Sequence, residues 1–440
     1  MSAVSKTFPN FASKVVYFQT IKSNPDNQSV LTLKLYRGLI AATVQALQEI
    51  FSDKQQADRV VERLLKSNPK WGARDRAFIA ENTYEIVRWW RLIKFSASLE
   101  KVTQPEHFWK MVGTWQIIKP AQLHRESDNI LPEWAEFEEI NLEMVLNRYH
   151  EALKVRKIAQ SIPDWIDEVG ERELGDKWEK EITALNHQAP FVLRVNTLKS
   201  DLQSVISVFG EDKVETVAEV PTAIILKKRQ NVFGQETFKK GHFEVQDAGS
   251  QLIAPFLDLK PGQTVIDACA GAGGKTLQIA SLLENKGNII ALDIENYKLE
   301  ELQKRATRNG VKILTTGLIK NDSTVKDLVE KADRLLLDVP CSGLGVLRRN
   351  PDTKWKLQPG FLNTIRNTQW HILSNYSKMV KRGGKMVYAT CSLLPSESED
   401  QVTRFIMEFG DRWRLMNERR TSVADEGYDG FYMALLERIK

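Results

Sequence analysis

The chain has 440 residues, 42% hydrophobic and 27% charged, with a mean hydropathy of −0.35, values that exclude collagenous, coiled-coil and wholly disordered architectures. A single hydrophobic core saturates near ~250–300 residues, so at least two domains are expected. Lys and Arg number 62 against 57 Asp and Glu, a net charge of +5, which permits a nucleic-acid partner without demanding one.

The start, MSAVSKTFPNFASK, lacks the apolar h-region of a signal peptide. No stretch reaches the roughly 18–20 apolar residues of a membrane helix. A cytoplasmic chain with no membrane partner is therefore expected. Residues 1–30 read as an aperiodic lead-in. Helical spacing of Ile40, Val44, Leu47 and Phe51 predicts a helix over 34–51, and Ile79, Ile86, Trp90 and Ile93 predict another over 75–95. Eight of the eleven tryptophans lie between Trp71 and Trp178. They are assigned to core packing ahead of base stacking. The polar segment 119–129 reads as a loop.

After about residue 155 the pattern changes. A turn at Ile162-Pro163 enters a polar helical stretch that ends near 184–186. Strands are then predicted over 191–196 and 222–228, around a short helix over 201–209. From residue 260 strands and helices alternate: strands over 264–269, 288–294, 312–316, 332–339 and 385–390, helices over 275–283, 297–308 and 361–380. That alternation predicts an α/β fold with a mostly parallel, doubly wound sheet, whose ligands sit at the carboxyl ends of the strands.

The first of these strands runs into Asp267-Ala-Cys269-Ala270-Gly271-Ala272-Gly273-Gly274-Lys275-Thr276. The tail imitates a Walker A loop, but Cys269 stands where that motif needs its first glycine, and the loop also fails G-x-G-x-x-G. A strand, a glycine-rich turn and a helix N-terminus still surround a compact polar ligand with N–H groups. Asp293 ends the second strand, where an acid can take ribose hydroxyls. Asp322 follows the third, where an acid can meet an adenine amino group. Adenine and ribose without a phosphate loop describe S-adenosylmethionine better than ATP or NAD.

Three cysteines cannot build a disulfide framework, and with no CxxC no metal site is expected. Cys341 follows Asp338 at the end of the fourth strand, and Cys391 ends the fifth. Carbon-5 of a pyrimidine is too electron-poor to attack a methyl sulfonium. A thiolate adding to carbon-6 makes carbon-5 nucleophilic, and a nearby carboxyl group relieves the charge that builds on the ring. Thiols at adjacent strand ends therefore point to carbon-5 of cytosine or uracil. The basic residues Lys227, Lys228, Arg229, Arg348 and Arg349 are expected to hold phosphates.

Several motifs resemble the Nol/Nop/Sun family of RNA cytosine-5 methyltransferases: F-E-V-Q-D-A-G-S-Q-L from Phe243, the D-A-C-A-G-A-G-G-K-T loop, D-V-P-C-S-G from Asp338, L-R-R-N-P-D from Leu347 and A-T-C-S from Ala389. A-L-N-H-Q-A-P from Ala184, leading into L-R-V-N, resembles the small RNA-binding subdomain of that family. Asp75-Arg-Ala77 and Tyr84-Glu-Ile-Val-Arg88 resemble the NusB-like domain of the bacterial RsmB/Sun branch, with Glu85 where that branch usually has glycine. The family loop commonly reads C-A-A-P-G-G-K, so Gly271 and Ala272 depart from it.

The resemblance implies a Rossmann-like class I methyltransferase domain over 241–440, preceded by a small α+β RNA-binding subdomain over 156–240 and an all-α NusB-like domain over 1–155. It implies Cys391 as nucleophile, Cys341 as the thiol that assists release, and Asp338 as the acid at the target base. S-adenosylmethionine would be held by Cys269, Ala270, Gly271, Ala272, Gly273, Gly274, Lys275, Asp293, Asp322 and Asp338, with Cys269 a wall of the pocket. The expected substrate is a cytosine of small-subunit ribosomal RNA, met by a monomer. Transfer RNA is the rival substrate, and a non-catalytic RNA-binding assembly factor the rival class.

Overall fold

The computed structural model describes residues 35–123 and 131–440. The lead-in and most of the loop expected over 119–129 lie outside those residues. The first body is built by helices Arg37–Phe51, Ala57–Ser67, Ala73–Arg88, Trp90–Ser96, Pro105–Gln122 and Leu142–Ala152. The helix expected over 75–95 is two helices, parted where Trp89 leaves helical geometry (φ −99°, ψ 21°). An unbroken helix would point adjacent side chains about 100° apart. The break lets Trp89 and Trp90 both turn inward, Trp90 stacking on Phe51 at 3.5 Å between centroids. Trp115 and Trp178 are among the largest fully buried side chains, so packing is the role of these rings.

The polar helical stretch before the first strand is two helices, Asp164–Leu174 and Lys177–Leu185, joined through Gly175 in the left-handed region. Trp178 seals them: a Cβ at Gly170 would come 2.3 Å from its ring. Four antiparallel strands follow: β1 (Phe191–Val195), β2 (Val214–Val217), β3 (Val220–Leu226) and β4 (Phe243–Val245), in the order β2-β3-β1-β4. Helix Leu202–Phe209 packs on them, its N-terminus capped by Asp201, which accepts from Ser204 N at 2.8 Å. The sheet takes its fourth strand from beyond position 240.

The third body is a seven-stranded sheet of β5 (Thr264–Asp267), β6 (Asn288–Asp293), β7 (Leu314–Leu318), β8 (Ala332–Asp338), β9 (Val380–Thr390), β10 (Trp413–Arg420) and β11 (Tyr432–Arg438). The order is β10-β11-β9-β8-β5-β6-β7, and every neighbouring pair is parallel except those of β11. From β5 the chain runs outward to β6 and β7, then returns to β8 on the other side. The gap between β5 and β8 is thus the switch point where such sheets bind ligands.

The three bodies meet around the segment after Cys341. Arg88, buried, donates to the carbonyls of Leu185 (3.4 Å) and Arg348 (3.0 Å), and the Trp355 indole N–H reaches Val87 O at 2.7 Å. Lys354 is buried beside them, and loss of water pushes its ammonium well below the usual lysine range. Among the described residues no helix is long and apolar enough to cross a membrane.

Candidate active site

The glycine-rich turn after β5 needs its glycines. Gly271 and Gly273 have φ of +54° and +87°, and a Cβ at Gly273 would come 2.0 Å from Leu302 Cδ1. Helix Gly274–Leu282 begins at the switch point, so its first N–H groups face a ligand there. Ala270 N donates to Leu292 O at 2.9 Å. Asp293 accepts from Gly271 N (2.8 Å) and Glu295 N (2.9 Å), which fixes the acid beside the turn.

The small sheet holds the same turn from behind. Arg194 of β1 donates to Gly274 O at 2.7 Å; its burial lowers the guanidinium to about 10. Arg305 joins Ala272 O (2.7 Å) to Glu244 of β4 (3.0 Å).

Asp267, at the end of β5, is buried and accepts from Thr276 Oγ1 at 2.7 Å, while its Oδ1 has no partner. Burial pushes this carboxyl up to about 7. Burial and the carboxylates of Asp267, Asp338 and Asp293 push the Cys269 thiol well up, as suits a wall residue and not a nucleophile. Asp322 heads the short helix Asp322–Lys326 after β7; its side chain lies outside the described residues.

The other two thiols come together. β8 and β9 remain paired to their ends, where Val339 N donates to Ala389 O at 3.0 Å. The chains beyond them carry Cys341 Sγ to 3.2 Å from Cys391 Sγ. The turn after Cys341 is stitched to the same place: Gly345 N donates to Cys391 O and Gly430 N to Gly345 O, both at 2.9 Å. A Cβ at Gly345 would come 2.0 Å from Gly430 O, so only glycine allows that approach.

Lys275 Nζ lies 2.6 Å from Asp338 Oδ2. Burial alone would lower this lysine, but the Asp338 carboxylate overrides it and holds the ammonium above its usual range, with Cys391 acting in the same direction. The hydrogen bond to Cys391, then burial, push the Cys341 thiol well up. One sulfur is therefore kept as S–H, and the other lies within the field of a fixed ammonium.

Two residues of this centre escape a reading of the sequence. Lys275 enters it only as part of the cofactor loop; its helix position one residue past the turn, facing the end of β8, is a long-range fact. Glu397 has no place in it, because in Ser396-Glu397-Ser398-Glu399-Asp400 it reads as one of several acids of a polar, solvated segment.

Arg348 and Arg349 do not serve as phosphate ligands. Asp247 and Asp429, both buried, claim them: Arg349 Nη2 lies 2.7 Å from Asp247, and each arginine Nε donates to Asp429. Buried charges persist only when paired, and these four pair with one another. Lys227, Lys228 and Arg229 are exposed, and Arg229 lies over the Phe191 ring at 5.6 Å. Among the described residues no group of three or more His, Cys, Asp or Glu could hold a metal ion.

A sheet of this order, with a glycine turn after its central strand and an acid ending the next, is the architecture of the Rossmann-like class I methyltransferases. The family model for 16S rRNA methyltransferase RsmB/F matches residues 254–436, and that for the RsmF/B-like, ferredoxin-like domain matches 162–233.

Among named relatives, the probable ribosomal RNA small subunit methyltransferase B of Synechocystis is 38% identical over 261 residues, covering 58% of each chain. That of Bacillus subtilis is 31% identical over 307 residues, covering 64% of this chain and 68% of the other. Ribosomal RNA small subunit methyltransferase B of Klebsiella pneumoniae is 27% identical over 450 residues, 91% of this chain and 98% of that one. The crystal structure of PH0851 superposes with a TM-score of 0.75 at 26% identity, over 92% of this chain and all of that one. NSun6 from Pyrococcus horikoshii, with SFG, shares the fold at a TM-score of 0.59 and 21% identity, over 64% of this chain and 99% of that one. The chain belongs to the RsmB/F methyltransferase family.

Proposed function

We propose that this protein transfers a methyl group from S-adenosylmethionine to carbon-5 of a cytosine in small-subunit ribosomal RNA, through a covalent cysteine–cytosine adduct. The observation that carries this reading is the pair of sulfurs 3.2 Å apart beside the Lys275–Asp338 ion pair. Methylation of an amino nitrogen needs no such nucleophile. The family and its bacterial relatives support the ribosomal substrate.

The residues present fit the cofactor. Asp293 would take the ribose hydroxyls, the turn from Cys269 to Gly274 would line the methionine part, and the unpartnered Oδ1 of Asp267 would gain a cationic partner in the α-ammonium. When bound, S-adenosylmethionine supplies an electrophilic methyl sulfonium. Cys391 as thiolate adds to carbon-6, helped by the Lys275 ammonium. The Lys275–Asp338 pair lends a proton donor and a fixed charge to the ring as electron density shifts. After transfer the carbon-5 proton leaves to a base, the carbon–sulfur bond breaks, and Cys391 departs as thiolate. The S–H of Cys341 meets that departing sulfur.

The direct test is bisulfite sequencing of ribosomal and transfer RNA from a deletion strain. One protected cytosine of the small-subunit RNA should become convertible; retention of every protected cytosine would overturn the reading, and a loss confined to transfer RNA would move the substrate.

A pH dependence follows from Asp267. Its folded value near 7 lies above its ordinary value of 3.8. Its contribution to the stability of the unliganded protein is thus complete below about 4 and lost as pH rises through about 7. A bound ammonium favours the ionised carboxylate, so affinity has the opposite trend. Calorimetric titration with S-adenosylmethionine should show binding weakening by up to about tenfold per unit as pH falls below 7. Asp267→Asn should bind more weakly and flatten that slope.

A further inference from the structure

We propose that Glu397 is a positioning residue that sets the two thiols in register, so that release of the methylated base depends on its carboxylate. The proposal rests on the covalent mechanism above. Glu397 closes the short helical turn Pro395–Glu397 and is fully buried. Oε2 accepts from Ser342 N at 2.8 Å and Gln369 Nε2 at 3.0 Å. Oε1 accepts from the hydroxyls of Ser342 and Ser392, both at 2.6 Å.

Those serines directly follow Cys341 and Cys391. One carboxylate thus spans the two strand-end loops immediately behind the two sulfurs. The frame is closed around it. Gln369 Nε2 also reaches Pro340 O at 3.0 Å, Tyr388 OH donates to Glu397 O at 2.7 Å, and the two serine oxygens lie 3.2 Å apart.

A buried carboxylate without a cation is costly unless hydrogen bonds replace its water. Here the partners among the described residues are neutral donors, and those on its oxygens come from Ser342, Ser392 and Gln369. A loop that needed only filling would be served better by an apolar side chain. What the acid does that an apolar residue cannot is hold two separate loops on one rigid group. Its charge faces the thiol as well: the raised state of Cys341, due first to the hydrogen bond with Cys391 and to burial, is reinforced by Glu397.

The two ties make opposite predictions. Ser342→Ala removes the side-chain tie behind Cys341, whereas Ser392→Ala removes the tie behind Cys391. A misplacement of ~1 Å can cost on the order of 100-fold in a positioned step. The experiment mixes full-length protein, S-adenosylmethionine and substrate RNA and reads the detergent-resistant RNA–protein adduct alongside turnover, with Cys341→Ala as the control for a trapped adduct.

Ser342→Ala should accumulate adduct with turnover reduced at least ~10-fold and KM for both substrates within about twofold, and Glu397→Gln, which disturbs both ties, should lose turnover by at least as much. Ser392→Ala should slow adduct formation instead. If Cys341→Ala traps no adduct, the mechanism beneath the proposal fails. If it does trap one while Ser342→Ala and Glu397→Gln turn over like wild type, or while both serine variants lose formation and release in parallel, the proposal itself is overturned. Should Glu397→Gln fold poorly, the two serine variants still decide between these outcomes.

Discussion

Cys391→Ala is expected to lose methyl transfer by a factor on the order of 10⁴ or more, measured with tritium-labelled S-adenosylmethionine and unmethylated RNA. The size of the effect follows from the order of events. Carbon-5 becomes a nucleophile only after a sulfur has joined carbon-6, so removing that sulfur removes the reaction path and does not merely slow it. The fold should tolerate the change. Cys391 is half-buried at a strand end, and alanine leaves its backbone bond to Gly345 in place. Cofactor affinity should stay within about twofold, because the turn that would hold it follows β5 and is tied to β6 and the small sheet. Wild-type turnover by this variant would move the nucleophile elsewhere.

Cys341→Ala should differ in kind. Attack at carbon-6 needs Cys391, Lys275 and Asp338, which the substitution leaves in place, so the adduct forms. Its breakdown loses the S–H group 3.2 Å from the sulfur that must leave. Gel electrophoresis under denaturing conditions should show an RNA–protein band that requires Cys391 and disappears in the double variant. Multiple-turnover rates should fall at least ~100-fold, while a single methyl group per protein is still transferred. Normal turnover with no retained band would remove Cys341 from the release step.

Much of this centre is legible in the amino-acid sequence, for a physical reason. β5, β6, β8 and β9 are buried on both faces, so they appear as apolar runs that need no partner to be recognised. The residues that end them, Asp267, Asp293, Asp338 and Cys391, are placed by that fact alone. The thiol pair can be inferred because neighbouring parallel strands end on one edge. What escapes is whatever depends on a partner distant in sequence. β10 is an edge strand whose residues are mostly exposed, and its apolar residues Trp413, Leu415 and Met416 do not alternate with polar ones as a half-buried strand's would. Arg348 and Arg349 look like phosphate ligands until Asp247 and Asp429, about a hundred residues away on one side and eighty on the other, neutralise them. Lys275 reads only as part of the cofactor loop, and Glu397 looks incidental, until the fold brings one to Asp338 and the other behind both cysteines. Short strands such as β2 and β4 offer too few residues for alternation to register.

The placement of β11 has a consequence for how the molecule is made. A chain leaves the ribosome from its N-terminus, and β9 emerges well before β11. Yet β11 is the strand that pairs antiparallel along β9 from Lys385 to Thr390 and separates it from β10. Until Tyr432 to Glu437 have emerged, the strand that delivers Cys391 is an unprotected edge, open to pairing with another chain. Gly430, which bonds to Gly345 behind the thiols, arrives just ahead of the same segment. The nascent protein therefore has its glycine-rich turn after β5 long before the strand that leads to Cys391 is paired on both sides. The edge of β9 that carries Cys391 stays open until β11 has been made.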